Sequence, residues 1–395
     1  MLVIHGGSAV TRNGIIDDAV IVVRKGIIAD IGANGSVRPP SGATMVDANG
    51  FWITPGFVDM HVHGGGGNNF ATSDPDEVIR AARFLASTGT TSLLATVGAG
   101  PLEKTQEFIS VIADLIGSRG DSAEIVGIHL EGPFVNAHRR GAINAQHIRP
   151  PSIDETDRAI KLSKGSIRVM TLAPEIDGAL QVIGYLTDRG IVVSVGHSDA
   201  KYDDALAGIN AGISHSTHTY NAMSGLHHRE PGVVGAVLTN ESVTCELIGD
   251  LVHVSPAAAQ VLIRCKGPHS VALITDSGFA AGLPDGRYSS SDGRYMFKNH
   301  AHCTLDDGTL AGSVSPMNLN VRNLVTVLGT PLTEAVEMAS LTPARSAGVD
   351  DRKGSLCIGK DADIVIMNKR FEVMRTYVAG NLIYDSWDSS MPAVP

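Results

Sequence analysis

The 395-residue sequence predicts an α/β protein, a (β/α)8 TIM barrel with a small β-sandwich domain formed by both termini. Three observations carry that expectation. Apolar strand-like runs alternate with amphipathic helix-like runs through the middle of the chain. Both ends are rich in short β-branched stretches. Histidines and carboxylates recur where the strand-like runs stop.

Taken in order, residues 1–55 hold runs such as Ala19-Val20-Ile21-Val22-Val23 and Gly26-Ile27-Ile28-Ala29-Asp30, broken by Gly, Asn and Pro. They predict a small antiparallel sheet, the N-terminal part of the sandwich. Segment 56–345 is the expected barrel. Its strands are predicted at 57–61, 90–96, 125–130, 167–172, 191–195, 212–218, 244–249 and 271–276. Helical patterns fall between them, for example at 76–87, 102–115, 177–188 and 256–265. Segment 346–395 returns to strand-like texture at 362–367 and 373–383 and is the expected C-terminal part of the sandwich. Eight strands in strict alternation fit a closed parallel barrel, although periodicity alone does not separate it from an open doubly wound sheet. The polar residues at the strand ends decide for the barrel.

Composition narrows the function. Hydrophobic residues make up 43% and charged residues 18%, enough apolar matter for a large core. The net charge of −10 argues against nucleic acid as a partner, because phosphate backbones demand clustered Lys and Arg. Cys245, Cys265, Cys303 and Cys357 lie far apart with no CxxC pair, so reduced thiols are expected rather than disulfides. No basic leader precedes an apolar stretch, and no apolar run approaches the ~20 residues of a membrane span. A cytoplasmic protein without membrane contact is expected.

Almost every expected strand ends in a residue able to bind a cation or move a proton. The first runs into Asp59-Met60-His61-Val62-His63 and the third into His129-Leu130-Glu131. The fifth ends at Gly196-His197, the sixth at Thr217-His218 and the eighth at Thr275-Asp276. In a parallel barrel these ends share one face, where active sites sit. Any one of them has an ordinary structural reading: a hydrogen-bonded core histidine, or an Asp capping the next helix. Together, in barrel order, they predict a metal site, since imidazole and carboxylate suit borderline divalent cations.

That order of HxH, Glu, His, His and Asp resembles the amidohydrolase superfamily. The phrases Leu130-Glu131-Gly132-Pro133-Phe134, Gly196-His197-Ser198-Asp199-Ala200, Thr217-His218-Thr219-Tyr220-Asn221-Ala222-Met223 and Arg229-Glu230-Pro231-Gly232 resemble the N-acetylglucosamine-6-phosphate deacetylase branch. The resemblance covers nearly the whole chain. It implies that Glu131, His197 and His218 hold a principal metal and that His61 and His63 form a second site. Asp276 would be the catalytic aspartate and a metal neighbour. The cofactor would be one or two divalent cations per subunit, Zn2+ first, with Fe2+, Mn2+ or Co2+ as alternatives. Asn221 and Ala222 would contact the sugar phosphate, Arg229 and His253 would neutralise it, and Ala142, Leu310, Ala311 and Gly312 would give backbone contacts to the sugar. The implied substrate is a phosphorylated N-acetyl amino sugar and the implied assembly a homodimer. One departure stands out: Ile143 occupies a position where some members carry a histidine. His227 and His228 receive no role. The competing readings are another metal-dependent amidohydrolase, dihydroorotase-like or acting on N-acyl amino acids, and a catalytically dead barrel serving as a scaffold.

Overall fold

The computed structural model describes residues 1–118, 120–289, 293–300 and 302–387. The tail of segment 346–395 therefore lies outside the described residues. The central sheet has eight parallel strands in sequence order: β1 (Phe57–Val62), β2 (Thr90–Gly98), β3 (Glu124–Glu131), β4 (Ile167–Leu172), β5 (Val192–Val195), β6 (Ile213–Ser216), β7 (Thr244–Ile248) and β8 (Val271–Ile274). Each is followed by a helix that packs outside, beginning with Pro75–Ser87 and ending with Met317–Thr326. The first of these helices begins where its sequence says it should. Asp74 caps it by accepting the Asp76 N–H, and Pro75 follows at a position with no amide proton to lose.

The barrel closes where β8 returns to β1. The Asp276 N–H donates to the His61 carbonyl at 2.9 Å and the His63 N–H to the Ser277 carbonyl at 2.8 Å. Deeper in this seam the Thr275 hydroxyl donates to the Asp59 carboxylate at 2.6 Å. Pairing of β1 with β2 slips between Asp59 and Val62, a bulge of the kind that re-aims side chains at barrel rims.

The terminal strands form two further sheets. One has the order Ile27–Ala33, Ala19–Arg24, Leu2–His5, Thr44–Asp47. The other joins the C-terminal strands Asn381–Asp385, Val373–Val378 and Ile364–Met367 to the N-terminal Trp52–Pro55, Ser8–Thr11 and Gly14–Ile16. Ile4, Ile21, Ile28 and Ile53 from the beginning of the chain pack against Ile364, Ile366 and Tyr377 from its end, so both termini share one core. The expected all-antiparallel pairing of 1–55 is corrected: Leu2–His5 pairs in parallel with Thr44–Asp47, and Ser8–Thr11 with Trp52–Pro55. Alternation of apolar residues reports which face is buried and says nothing of strand direction.

A four-stranded antiparallel sheet that the sequence did not announce lies between β8 and its helix. Its strands are Gly286–Ser289, Tyr295–Lys298, His302–Leu305 and Leu310–Ser313. Two links tie it to the end of β8. The Ser313 N–H donates to the Asp276 carbonyl at 2.8 Å, and the Ser313 hydroxyl to the Thr275 carbonyl at 2.6 Å.

Candidate active site

The C-terminal strand ends bring His61, His63, Glu131, His197, His218 and Asp276 together. Three of them, His197, His218 and Asp276, adopt positive φ of 48°, 28° and 48°. Non-glycine residues enter that region at a cost of about 1–3 kcal/mol each, and such strain gathers at functional sites. Here it breaks the strand abruptly and lets the side chain point along the barrel mouth instead of continuing the ladder.

Glu131 is the hub. Its Oε1 lies 3.0 Å from His197 Nε2 and 3.1 Å from His218 Nε2, while its Oε2 lies 3.4 Å from His63 Nε2. Asp276 Oδ1 sits 3.3 Å from His63 Nε2 and 3.5 Å from His61 Nε2. Two trios thus share the site, Glu131–His197–His218 and His61–His63–Asp276, with Glu131 turned toward both.

The donor chemistry fits a cation. His61 Nδ1 faces Glu246 Oε2 at 2.9 Å and His197 Nδ1 faces the Arg139 carbonyl at 2.9 Å. Both partners only accept, so each ring donates from Nδ1 and, when neutral, presents a bare Nε2. His61 Nε2 is buried with no hydrogen-bond partner, and His197 Nε2 lies 3.1 Å from His218 Nε2. Bare imidazole nitrogens and carboxylate oxygens converging in a buried space repel one another unless a positive charge stands between them. The field says the same. Burial alone would lower the pKa of His63, but hydrogen bonds and charge from Asp276 and Glu131 raise it to about 9. Burial would push Glu131 upward, yet the neighbouring His61 charge and the His197 and His218 rings hold it well below the usual carboxylate range. Asp276 is likewise held low, against burial, by His61 and His63.

His63, Glu131, His197, His218 and Asp276 line a cavity of about 1190 Å3, and His61 is buried behind them. Ala142, Asn221, Ala222, His253, Leu310, Ala311 and Gly312 all line it, as does Ile143. His253 donates from Nδ1 to Asp250 Oδ2 at 2.6 Å, and its Nε2 is buried with no hydrogen-bond partner. Burial would lower its pKa, but Asp250 raises it. Arg229 is not brought into this cavity. It is exposed, in the loop after β6, with its guanidinium 2.7 Å from His228 Nε2.

Sequence reasoning passed over several residues. Arg294, just before the strand Tyr295–Lys298, lines the cavity and donates to the Ala142 carbonyl at 2.7 Å. Below the metal-type residues lies a polar layer within the barrel. His129 Nε2 meets the Thr171 hydroxyl at 2.7 Å, which in turn meets the Thr217 hydroxyl at 2.7 Å. Burial drives the His129 pKa down to about 3, which leaves the ring neutral, and that of Asp59 up to about 7, against hydrogen bonds from Thr275, which leaves its carboxyl shared between neutral and ionised forms. Glu246 is the most informative omission. A carboxylate inside the apolar run Cys245-Glu246-Leu247-Ile248 was a readable signal, since an unpaired charge is not buried in a strand without cause.

A barrel whose strand ends gather imidazoles and carboxylates able to hold a cation, beside a cavity, fits the class of metal-dependent hydrolases. The chain belongs to the amidohydrolase family, whose sequence model matches residues 52–383. Among curated proteins it is 37% identical to the N-acetylglucosamine-6-phosphate deacetylase of Bacillus subtilis, over 98% of each chain. It is 36% identical to the N-acetylgalactosamine-6-phosphate deacetylase of Escherichia coli O157:H7, over 96% of this chain and 98% of that one. Among solved structures it is similar to a mutant N-acetyl-D-glucosamine-6-phosphate deacetylase of Mycobacterium smegmatis in complex with N-acetyl-D-glucosamine-6-phosphate. The TM-score is 0.90 and the identity 32%, covering 97% of this chain and 99% of that one. The Thermotoga maritima N-acetylglucosamine-6-phosphate deacetylase has a TM-score of 0.86 at 30% identity, covering 98% and 100%.

Proposed function

We propose that this chain hydrolyses the acetamide of N-acetylglucosamine 6-phosphate, releasing acetate and glucosamine 6-phosphate in amino-sugar metabolism. The observation that carries the reading is the convergence of Glu131, His197 and His218 with His61, His63 and Asp276 beside a cavity roomy enough for a sugar phosphate. Glu131, His197 and His218 would hold the principal cation, and His61, His63 and Asp276 a second. Zn2+ suits this set of imidazoles and carboxylates best. A bound divalent cation supplies Lewis acidity and acidifies its water toward a pKa of ~7.

Asp276 does the proton work. Its carboxylate, held ionised by the neighbouring imidazoles, accepts the proton of the attacking water and passes it to the departing nitrogen. The carbon–oxygen bond forms first, and the carbon–nitrogen bond breaks as that tetrahedral adduct collapses. Asp276 passes one water proton to the leaving nitrogen and the acid's own proton follows, leaving a carboxylate and an ammonium group. Ile143 offers no polar group to the substrate carbonyl, so polarisation there falls to the cation.

His253 lines the cavity, has an Nε2 without a hydrogen-bond partner, and serves as one phosphate donor. Arg229, exposed outside its own chain's cavity, serves as the other from the second subunit of a homodimer. A planar guanidinium fork matches phosphate geometry. A dianionic substrate approaching a protein of net charge −10 needs such local cations. The protein works in the cytoplasm; among the described residues no helix is long and apolar enough to cross a membrane.

The test is acetate release from N-acetylglucosamine 6-phosphate, its galactosamine epimer and unphosphorylated N-acetylglucosamine, before and after metal stripping. Turnover should need the cation and favour the glucosamine phosphate. The Arg229→Ala variant should raise KM for the phosphorylated sugar about tenfold to a hundredfold, in line with ~1.5–3 kcal/mol per charge-assisted hydrogen bond. It should barely alter the weak activity on the unphosphorylated sugar. Equal losses on both would remove the phosphate role of Arg229, and no acetate from any of the three would overturn the reading.

A further inference from the structure

Glu246 is a fully buried carboxylate at the middle of β7, below the cation trios. Its Oε2 accepts two hydrogen bonds, from His61 Nδ1 at 2.9 Å and from the His218 backbone N–H at 2.8 Å. Its Oε1 faces His215 Nε2 at 3.4 Å. One oxygen therefore grips a member of each trio: the ring of His61 and the backbone of His218, a residue held at φ +28°.

We propose that Glu246 is the positioning residue of the cation site, acting through His61. By accepting a hydrogen bond from Nδ1–H, the carboxylate fixes the ring as the tautomer whose bare Nε2 faces Glu131 Oε1 and Asp276 Oδ1, each 3.5 Å away. A carboxylate behind an imidazole also makes the far nitrogen a stronger donor to a cation. The close grouping of His61, His129 and Glu246 is not a third cation site. Both His129 nitrogens are engaged, with the Met60 carbonyl at 3.1 Å and the Thr171 hydroxyl at 2.7 Å, and Glu246 Oε2 is already spent on His61 and His218.

The inference rests on the two-cation reading above, and its test separates the two. Metal-stripped wild type and Glu246→Gln are titrated with Zn2+ against a chromophoric chelator and with Co2+ followed by its visible absorption. Thermal melting of the stripped proteins confirms an equal fold. Wild type should bind two ions. In Glu246→Gln, whose amide oxygen can still accept one hydrogen bond but carries no charge, the weaker ion should bind about tenfold to a hundredfold less tightly and its Co2+ bands should change. The tighter ion should be little affected. In a His61→Ala background, Glu246→Gln should add no further loss. Should the amide variant not fold, Glu246→Asp keeps the charge but draws the oxygen back from Nδ1, and is expected to show the same selective weakening. Two ions bound with wild-type affinity in the variants would overturn the role of Glu246 alone, as would an equal loss in the His61→Ala background. A single ion in the wild type would overturn the two-cation reading, and this inference with it.

Discussion

At the scale of the residue, the proposed chemistry asks one titratable group, Asp276, to serve both cation and proton. Its Oδ1 stands 3.3 Å from His63 Nε2, and its backbone is stitched into the rim by the His61 carbonyl and the Ser313 amide. Asp276→Asn keeps the volume and the backbone links but removes the proton acceptor. Turnover should fall by at least a hundredfold in kcat with KM nearly unchanged, because the lost interaction matters in the transition state more than in the bound complex. Steady-state kinetics check this, together with metal content to show that the principal ion stays. A variant within about tenfold of wild type would place the base elsewhere. The same residue shows why the sequence overshot the strands. β6 was expected to run through His218 and β8 through Asp276, yet the ladders stop at Ser216 and Ile274. Both functional residues leave the extended conformation for positive φ, and nothing in an apolar run reports that turn.

At the scale of the element, most barrel strands were readable because each is a short apolar run with a helix behind it; β6, Ile213–Ser216, was placed by its position in the alternation. The four-stranded sheet at 286–313 was not. Its strands are only four residues long, the first two are largely exposed, and Tyr295 and Phe297 point outward, so no apolar face announces a core. Only Leu310, Ala311 and Gly312 were singled out, by resemblance rather than by pattern. Gly312 shows how this sheet is coupled to the chemistry. It sits at φ +72°, and a Cβ there would lie 3.1 Å from the Asp276 carbonyl oxygen. Gly312→Ala therefore adds both conformational strain, about 1–2 kcal/mol, and a push against the backbone of the proton acceptor. Melting temperature should drop by a few degrees, while kcat should fall by tenfold or more. A loss of stability with unchanged kcat would mean that the sheet covers the cavity without setting Asp276.

At the scale of the whole molecule, the active end of the barrel is separated from an ionic knot at the other. Glu124 opens β3 and Glu131 ends it, seven residues and roughly 23 Å further along an extended strand. Lys353 is fully buried, with Nζ 2.8 Å from Glu124, 3.0 Å from Asp361 and 2.7 Å from Asp363, and Arg352 pairs with Glu124 and Asp361 at the same place. The knot fastens the chain leading into the C-terminal strands to the barrel floor, and it was invisible in the sequence because its members are scattered. Lys353→Met keeps the bulk and deletes the cation, leaving carboxylates buried against one another. Removing one partner of such a pair costs about 3–5 kcal/mol. The pH dependence has a definite sign. Burial pushes Glu124 upward, but Arg352 and Lys353 hold it down to about 2, below its ordinary 4.5. Its stabilising contribution is thus complete above about pH 4.5 and fades as the pH falls toward 2. In the variant Arg352 still pairs with Glu124 and Asp361, but Asp363 loses the cation it pairs with, so acid relieves the added repulsion while it weakens the wild-type pairs. The gap in melting temperature should therefore be widest near neutrality and narrow below pH 4.5. The folded fraction of the variant should keep the wild-type kcat, since the knot touches nothing at the barrel mouth. A gap that stays constant with pH would show that Lys353 contributes packing rather than charge.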